Sequence, residues 1–167
     1  LCEMYSTKIK NPTKTVVVRP ANAYGPYDDF AWETSHVVPA LIRKVVERQD
    51  PIEVWGDGTE IKDLIYAEDL VRGMILAMEK IEDFVPLNLA TGRPVTVNDV
   101  IGAIISADGY KNARVEHDTS KPTMIPKRLI DASKAKALLG FEAGTSLEEG
   151  IGKTVEWYRK TYPHGYH

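Results

Sequence analysis

The chain has 167 residues, 43% hydrophobic and 27% charged, the proportions of one ordinary folded domain with a core of its own. Its 24 acidic and 21 basic side chains are interspersed and leave a net charge of −3, so no basic face marks it for nucleic acid or an anionic membrane. Its one cysteine, Cys2, cannot close an intrachain disulfide, and no apolar run approaches the roughly 20 residues of a membrane span; both features lead to the expectation of a cytoplasmic protein.

Residues 1–10 read as the end of a helix closed by Asn11-Pro12, because proline cannot continue one. The run over 15–19 is β-branched and apolar without alternation, which predicts a strand buried on both faces, as in a parallel sheet. Pro20, Gly25 and Pro26 end it, so Ala21, Asn22, Ala23 and Tyr24 are expected in a loop at the strand's carboxyl end, where open α/β sheets bind ligands. Val37, Val38, Leu41, Ile42, Val45 and Val46 recur at helical spacing and predict a helix from Ser35, as N-cap, to residue 48. Short strands over 52–55 and 61–66 flank Gly56-Asp57-Gly58, whose composition predicts a hairpin turn.

A helix over 68–80 would place Leu70, Met74, Ile75 and Met78 on one packed side. A strand over 86–90 ends at Gly92, and Thr96 or Asn98 would cap a helix running to Ala107, stopped by Asp108-Gly109. Further on, 114–117 reads as a short strand and 133–139 as a helix ended by Gly140. Ser146-Leu147-Glu148-Glu149 has the spacing of a capping box that opens a last helix to residue 158. No repeat or linker interrupts the chain, so 1–167 is expected to be a single compact α/β unit.

Dinucleotide binding needs a glycine turn that lets phosphates approach a helix N-terminus. Gly56-Asp57-Gly58-Thr59 lacks the third glycine and leads into a strand. Gly150-Ile151-Gly152-Lys153-Thr154 ends like a P-loop, but Leu147 stands where the first glycine belongs and the capping box places the segment inside a helix. In Tyr5-Ser6-Thr7-Lys8 the lysine comes one position early: a lysine that shares a helix face with a catalytic tyrosine, and so eases loss of its proton, stands four residues on. None of the eight tyrosines has a lysine at that spacing. His36, His117, His164 and His167 are scattered, so no metal site is expected.

Several segments taken in order carry a resemblance: Val18-Arg19-Pro20-Ala21-Asn22-Ala23-Tyr24-Gly25-Pro26, Ser35-His36-Val37-Val38-Pro39-Ala40-Leu41, Val54-Trp55-Gly56-Asp57-Gly58-Thr59, Lys62-Asp63-Leu64-Ile65-Tyr66, Asn88-Leu89-Ala90-Thr91-Gly92, and Lys121-Pro122 with Arg128-Leu129 and Ser133-Lys134-Ala135. Over essentially the whole chain they resemble the C-terminal half of the extended short-chain dehydrogenase/reductase family, the NAD-dependent nucleotide-sugar epimerases and dehydratases. Tyr24-Gly25-Pro26-Tyr27-Asp28-Asp29-Phe30, the Ser35-His36-Val37 segment, and Leu1-Cys2-Glu3 with Tyr5 are similar to the branch that epimerises and reduces GDP-4-keto-6-deoxymannose with NADPH.

The resemblance implies the C-terminal part of a Rossmann-type fold, its last parallel strands joined to a small mixed α/β substrate-binding region. Residues 1–34 and about 61–92 would complete the sheet of a full-length enzyme, while the glycine-rich cofactor half and the Tyr/Lys pair would lie upstream of Leu1. It implies that Pro20, Ala21, Asn22 and Ala23 lie along the nicotinamide and the substrate diphosphate. His36 would contact the cofactor and act as the acid of C3/C5 epimerisation, where a base takes the proton beside a ketone and an acid returns one on the other face. A helix N-terminus disfavours a cationic imidazole, so that role needs a neighbouring anion. Asn22, Lys44, Trp55, Lys62 and Lys121 would hold the nucleotide-diphosphate sugar. NADP or NAD would belong to the full-length parent and not to this chain alone.

Each of these residues also has a plainer reading: Asn22 as a turn residue, His36 and Lys44 as solvated helix positions, Trp55 as a rim aromatic. Lys62 stands where the family usually has arginine and Met124 where glycine is common, which keeps a UDP or dTDP sugar open as the substrate. A non-catalytic sugar-nucleotide-binding module and a fragment with no ligand also stay open. The strand over 15–19, without neighbours from a missing half, is expected to expose an edge that a homodimer or rearranged oligomer covers.

Overall fold

The computed structural model describes residues 1–123 and 125–166; Met124 and His167 lie outside the described residues. In chain order the elements are α1 (Cys2–Thr7), β1 (Val17–Pro20), β2 (Asn22–Tyr24), α2 (Val37–Val46), β3 (Ile52–Trp55), β4 (Ile61–Lys62), β5 (Leu64–Tyr66), α3 (Ala67–Lys80), β6 (Pro86–Leu89), β7 (Val95–Thr96), α4 (Val97–Asp108), β8 (Val115–Asp118), α5 (Ser133–Leu139) and α6 (Leu147–Thr161). They fall into two compact units. Leu1–Ala23, Asp63–Arg93 and Ile130–Gly144 form the first; Tyr24–Lys62, Pro94–Leu129 and the segment from Thr145 form the second. Each unit has its own buried apolar set, which lets a chain of this length divide.

In the first unit β1 pairs in parallel with β6, from Val17 opposite Pro86 to Pro20 opposite Leu89. Ala21, Ile65, Ala77, Leu87, Leu89, Leu139 and Phe141 are buried together in its core. Asp63, also buried, ties three segments together. Its carboxylate accepts from the Thr91 N–H (3.0 Å) and hydroxyl (2.7 Å), the Gly92 N–H (3.0 Å) and the Ile130 N–H (3.3 Å). Two expectations fail here. Val17 and Val18 are only half buried and Arg19 and Pro20 exposed, so β1 is not covered on both faces. Helix α3 packs by Gly73 and Ala77, leaving Met74, Ile75 and Met78 to solvent. The small residues admit a closer approach: a Cβ at Gly73 would lie 2.9 Å from Phe141 Cε2 and 3.1 Å from Leu89 Cδ1.

In the second unit α2, α4 and α6 pack on one another and α2 also covers β3. Ile42, Val45, Ile52, Ile104, Ile151 and Tyr158 are fully buried. Strand β3 runs parallel to β8, and β4 antiparallel to β7. The strands on either side of Gly56-Asp57-Gly58 therefore join different partners, and the hairpin expectation is wrong. The turn chemistry is right, since Gly56 and Gly58 have φ of 76° and 74°. The Asn98 N–H donates to the Gly58 carbonyl at 3.0 Å, so the turn leads the chain onto the start of α4 instead of back along β3.

Helix ends follow local chemistry. Thr96 and Asp99 form a reciprocal capping box, and the Ser146 hydroxyl accepts from the Glu149 N–H. His36, not Ser35, is the N-cap residue of α2. Gly150-Ile151-Gly152-Lys153-Thr154 lies within α6 with Gly150 and Ile151 buried, which removes it as a phosphate loop. Residues 22–24, expected as loop, are extended as β2. Among the described residues no helix is long and apolar enough to cross a membrane.

Candidate functional site

Strand β3 alternates: Ile52 and Val54 point into the second unit's core, which places Glu53 and Trp55 together on the outer face. Trp55 is 54% exposed, and its indole N–H donates to Glu53 Oε1 at 2.7 Å. The Lys44 ammonium, on the last turns of α2, donates to the Glu53 carbonyl at 2.7 Å. Lys121 lies with its Nζ 5.7 Å from the Trp55 ring centroid, a cation–π contact. Glu53 thus links Lys44, through its carbonyl, to Trp55, through its carboxylate, while Lys121 lies over the Trp55 ring. Sequence reasoning missed Glu53, although two-residue alternation places it beside Trp55.

Lys44 is not a plain solvated helix lysine. It is half buried, and that burial pushes its pKa down, partly opposed by the charge of Glu53. An exposed aromatic face with one ammonium group over it and a second on the same strand's backbone can stack a flat base and attract phosphates. Lys62 stands outside this cluster: it is buried, with its Nζ 2.7 Å from a Glu60 carboxylate oxygen.

His36 is exposed at the start of α2 and makes no side-chain cap bond. The loop before it is closed by Asp29, which accepts from the Ala31 N–H (2.9 Å) and from the Thr34 hydroxyl, and by the Ser35 N–H on the Ala31 carbonyl (3.0 Å). Asp28 and Asp29 both interact electrostatically with His36. Burial pushes the Asp28 carboxyl up, against the Asp29 N–H and His36, which favour its charged form. These two acids, also missed in the sequence, are carboxylates on the loop that leads into His36.

The remaining residues expected at the site belong to the first unit. Pro20 is exposed at the end of β1, Ala21 is buried with its N–H on the Leu89 carbonyl (2.8 Å), Asn22 is half buried with its N–H on the Asp63 carbonyl (3.2 Å), and Ala23 is exposed. Among the described residues no three His, Cys, Asp or Glu side chains converge as a metal site.

Parallel strands in both units, joined by helices, make this an α/β protein of the Rossmann-type epimerase class. The model of the NAD dependent epimerase/dehydratase family matches residues 1–90, more than half of the chain, and the chain belongs to that family. GDP-L-fucose synthase of Escherichia coli K12 is 32% identical over 171 residues, covering 95% of this chain and 52% of that protein. UDP-glucose 4-epimerase of Thermotoga maritima, solved with UDP-glucose, superimposes with a TM-score of 0.78 at 36% identity, covering 87% of this chain and 46% of the other. A GDP-L-fucose synthetase from Naegleria fowleri gives 0.78 at 27% identity, covering 89% and 47%. The chain spans about half the length of each of these proteins.

Proposed function

We propose that this chain is the sugar-nucleotide-binding portion, the C-terminal half, of an NAD(P)-dependent nucleotide-sugar epimerase/reductase resembling GDP-L-fucose synthase. The observation that carries the reading is the exposed Trp55 face, with Lys121 over the ring and Lys44 on the carbonyl of the neighbouring Glu53. The base would stack on the indole and the two ammonium groups would meet the diphosphate. Lys62, already paired with Glu60, would contribute only if that pair opened toward the substrate. The 36% identity to an epimerase solved with UDP-glucose supports a second reading, a UDP-sugar enzyme. Calorimetric titration of GDP-, UDP- and dTDP-sugars against the chain separates the two; no binding at millimolar ligand would remove both.

Pro20, Ala21, Asn22, Ala23 and His36 would touch NADP or NAD in the parent enzyme, which supplies hydride chemistry when bound. With no Tyr-x-x-x-Lys pair and no complete glycine turn in its sequence, the chain is proposed to catalyse no turnover by itself. Loss of NADPH absorbance on adding a keto sugar would overturn that. In a complete enzyme His36 would return the proton to the epimerised carbon. Intact epimerisation by His36→Gln would refute the role. The half-exposed β1 is proposed to be covered in a dimer, and a stable monomer in light scattering would count against that. The proposed compartment is the cytoplasm, where the exposed thiol of Cys2 stays reduced.

A further inference from the structure

We propose that Glu53 selects the base of the nucleotide at Trp55, and that the base is guanine. The inference rests on the reading of Trp55 as a stacking platform. Glu53 forms the edge of that platform: the indole N–H on Oε1, at 2.7 Å, fixes the ring's orientation in its own plane. A carboxylate offers about four lone-pair sites, and the indole uses one. Lys44 leaves them available, because it donates to the Glu53 carbonyl and not to its carboxylate. Of the acids on β3 and β8, only Glu53 is shown holding the indole itself. Asp118 accepts from the N–H and hydroxyl of Ser120, and Glu116 lies 4.0 Å from Arg114 Nε. Glu53 is therefore the anion set against the exposed indole.

A base stacked on the open part of that ring turns its hydrogen-bonding edge to the carboxylate. Guanine carries N1–H and the 2-amino group side by side, two donors that a carboxylate takes in a bidentate, charge-assisted pair. Uracil and thymine carry one N–H between two carbonyl oxygens, and those lone pairs face the anion. The same carboxylate thus attracts guanine and disfavours the pyrimidines, which is specificity by attraction and repulsion together. The Lys121 ammonium, over the indole, is placed to move onto the diphosphate as the base takes the ring.

Calorimetric titration of GDP, IDP and UDP against the 167-residue chain and its Glu53→Gln variant tests this. IDP lacks the 2-amino group, so GDP should bind the wild type about tenfold more tightly than IDP, and more tightly than UDP. Glu53→Gln should close the gap between GDP and IDP and narrow the gap between GDP and UDP, because the paired acceptor for guanine and the repulsion of uracil are lost together. Equal binding of GDP and IDP by the wild type, a comparison that needs no variant, overturns the assignment and leaves the nucleotide site standing. A parallel loss of all three ligands in Glu53→Gln makes Glu53 a support for the indole alone and also overturns it. If none of the three binds the wild type, the site itself is refuted and the assignment falls with it.

Discussion

The Lys121 ammonium sits 5.7 Å from the centroid of the Trp55 ring, on an indole whose N–H is already held by Glu53. An exposed cation–π contact of this kind is worth only about 0.5–1 kcal/mol, so a stacking base can displace it at little cost. Lys121→Ala should uncover the ring yet weaken nucleoside diphosphate binding about tenfold, because an attraction to phosphate is lost. Titration at low and high salt checks this: the gap between variant and wild type should narrow as salt screens the charges.

Glu47 should give the second unit an acid-sensitive component of stability. Burial pushes its carboxyl up, but the Tyr166 N–H, the Tyr158 hydroxyl and the Arg43 guanidinium outweigh burial and hold it below the ordinary 4.5. The unfolded chain then binds more protons than the folded one just below that value. The contribution is fully present above pH 4.5 and fades as pH falls through the folded pKa. Glu47→Gln should cost ~1–2 kcal/mol at neutral pH, and thermal melts at decreasing pH should bring variant and wild type together.

The Asp63 carboxylate gathers four donors from Thr91, Gly92 and Ile130. Asp63→Ala should destabilise the first unit by ~2–3 kcal/mol, because the half-buried N–H groups of Thr91 and Ile130 and the N–H of Gly92 lose one shared acceptor that ties three segments together. Urea denaturation followed by circular dichroism measures the loss. A change within ~0.5 kcal/mol, typical of surface positions, would contradict it.

Two helical glycines should respond in opposite directions. Gly73→Val must push against Phe141 and Leu89 and should cost ~1–3 kcal/mol. Gly102, in α4, has open space where a Cβ would stand, with nothing within 4 Å, so Gly102→Ala should stabilise by ~0.5–1 kcal/mol through reduced backbone freedom in the unfolded chain. Melting temperatures of the two variants would move to opposite sides of the wild type.

Much of the local structure was legible because its causes lie within a few residues. Thr96, one of the two caps the sequence offered, opens α4, Ser146 with Glu149 announces α6, and Gly140 ends α5. The family, too, could be read from ordered short segments and was borne out by the match over residues 1–90. Strand partners were not legible. Gly56-Asp57-Gly58 specifies a turn but says nothing of where the strands go afterwards, and β3 finds β8 while β4 finds β7.

Packing also decided which face of α3 is inside. By sequence Met74, Ile75 and Met78 are the apolar choice, yet Phe141 and Leu89 close on Gly73 because only a residue without a side chain admits them. At the candidate site, the residue types suited to a base and a diphosphate were present in the sequence as Lys44, Trp55 and Lys121. The placement of Glu53 between Lys44 and Trp55, and of Lys121 over the indole, came from the tertiary fold: α2 has to fold back on β3 to set Lys44 on the Glu53 carbonyl, and Lys121 comes from a loop far along the chain.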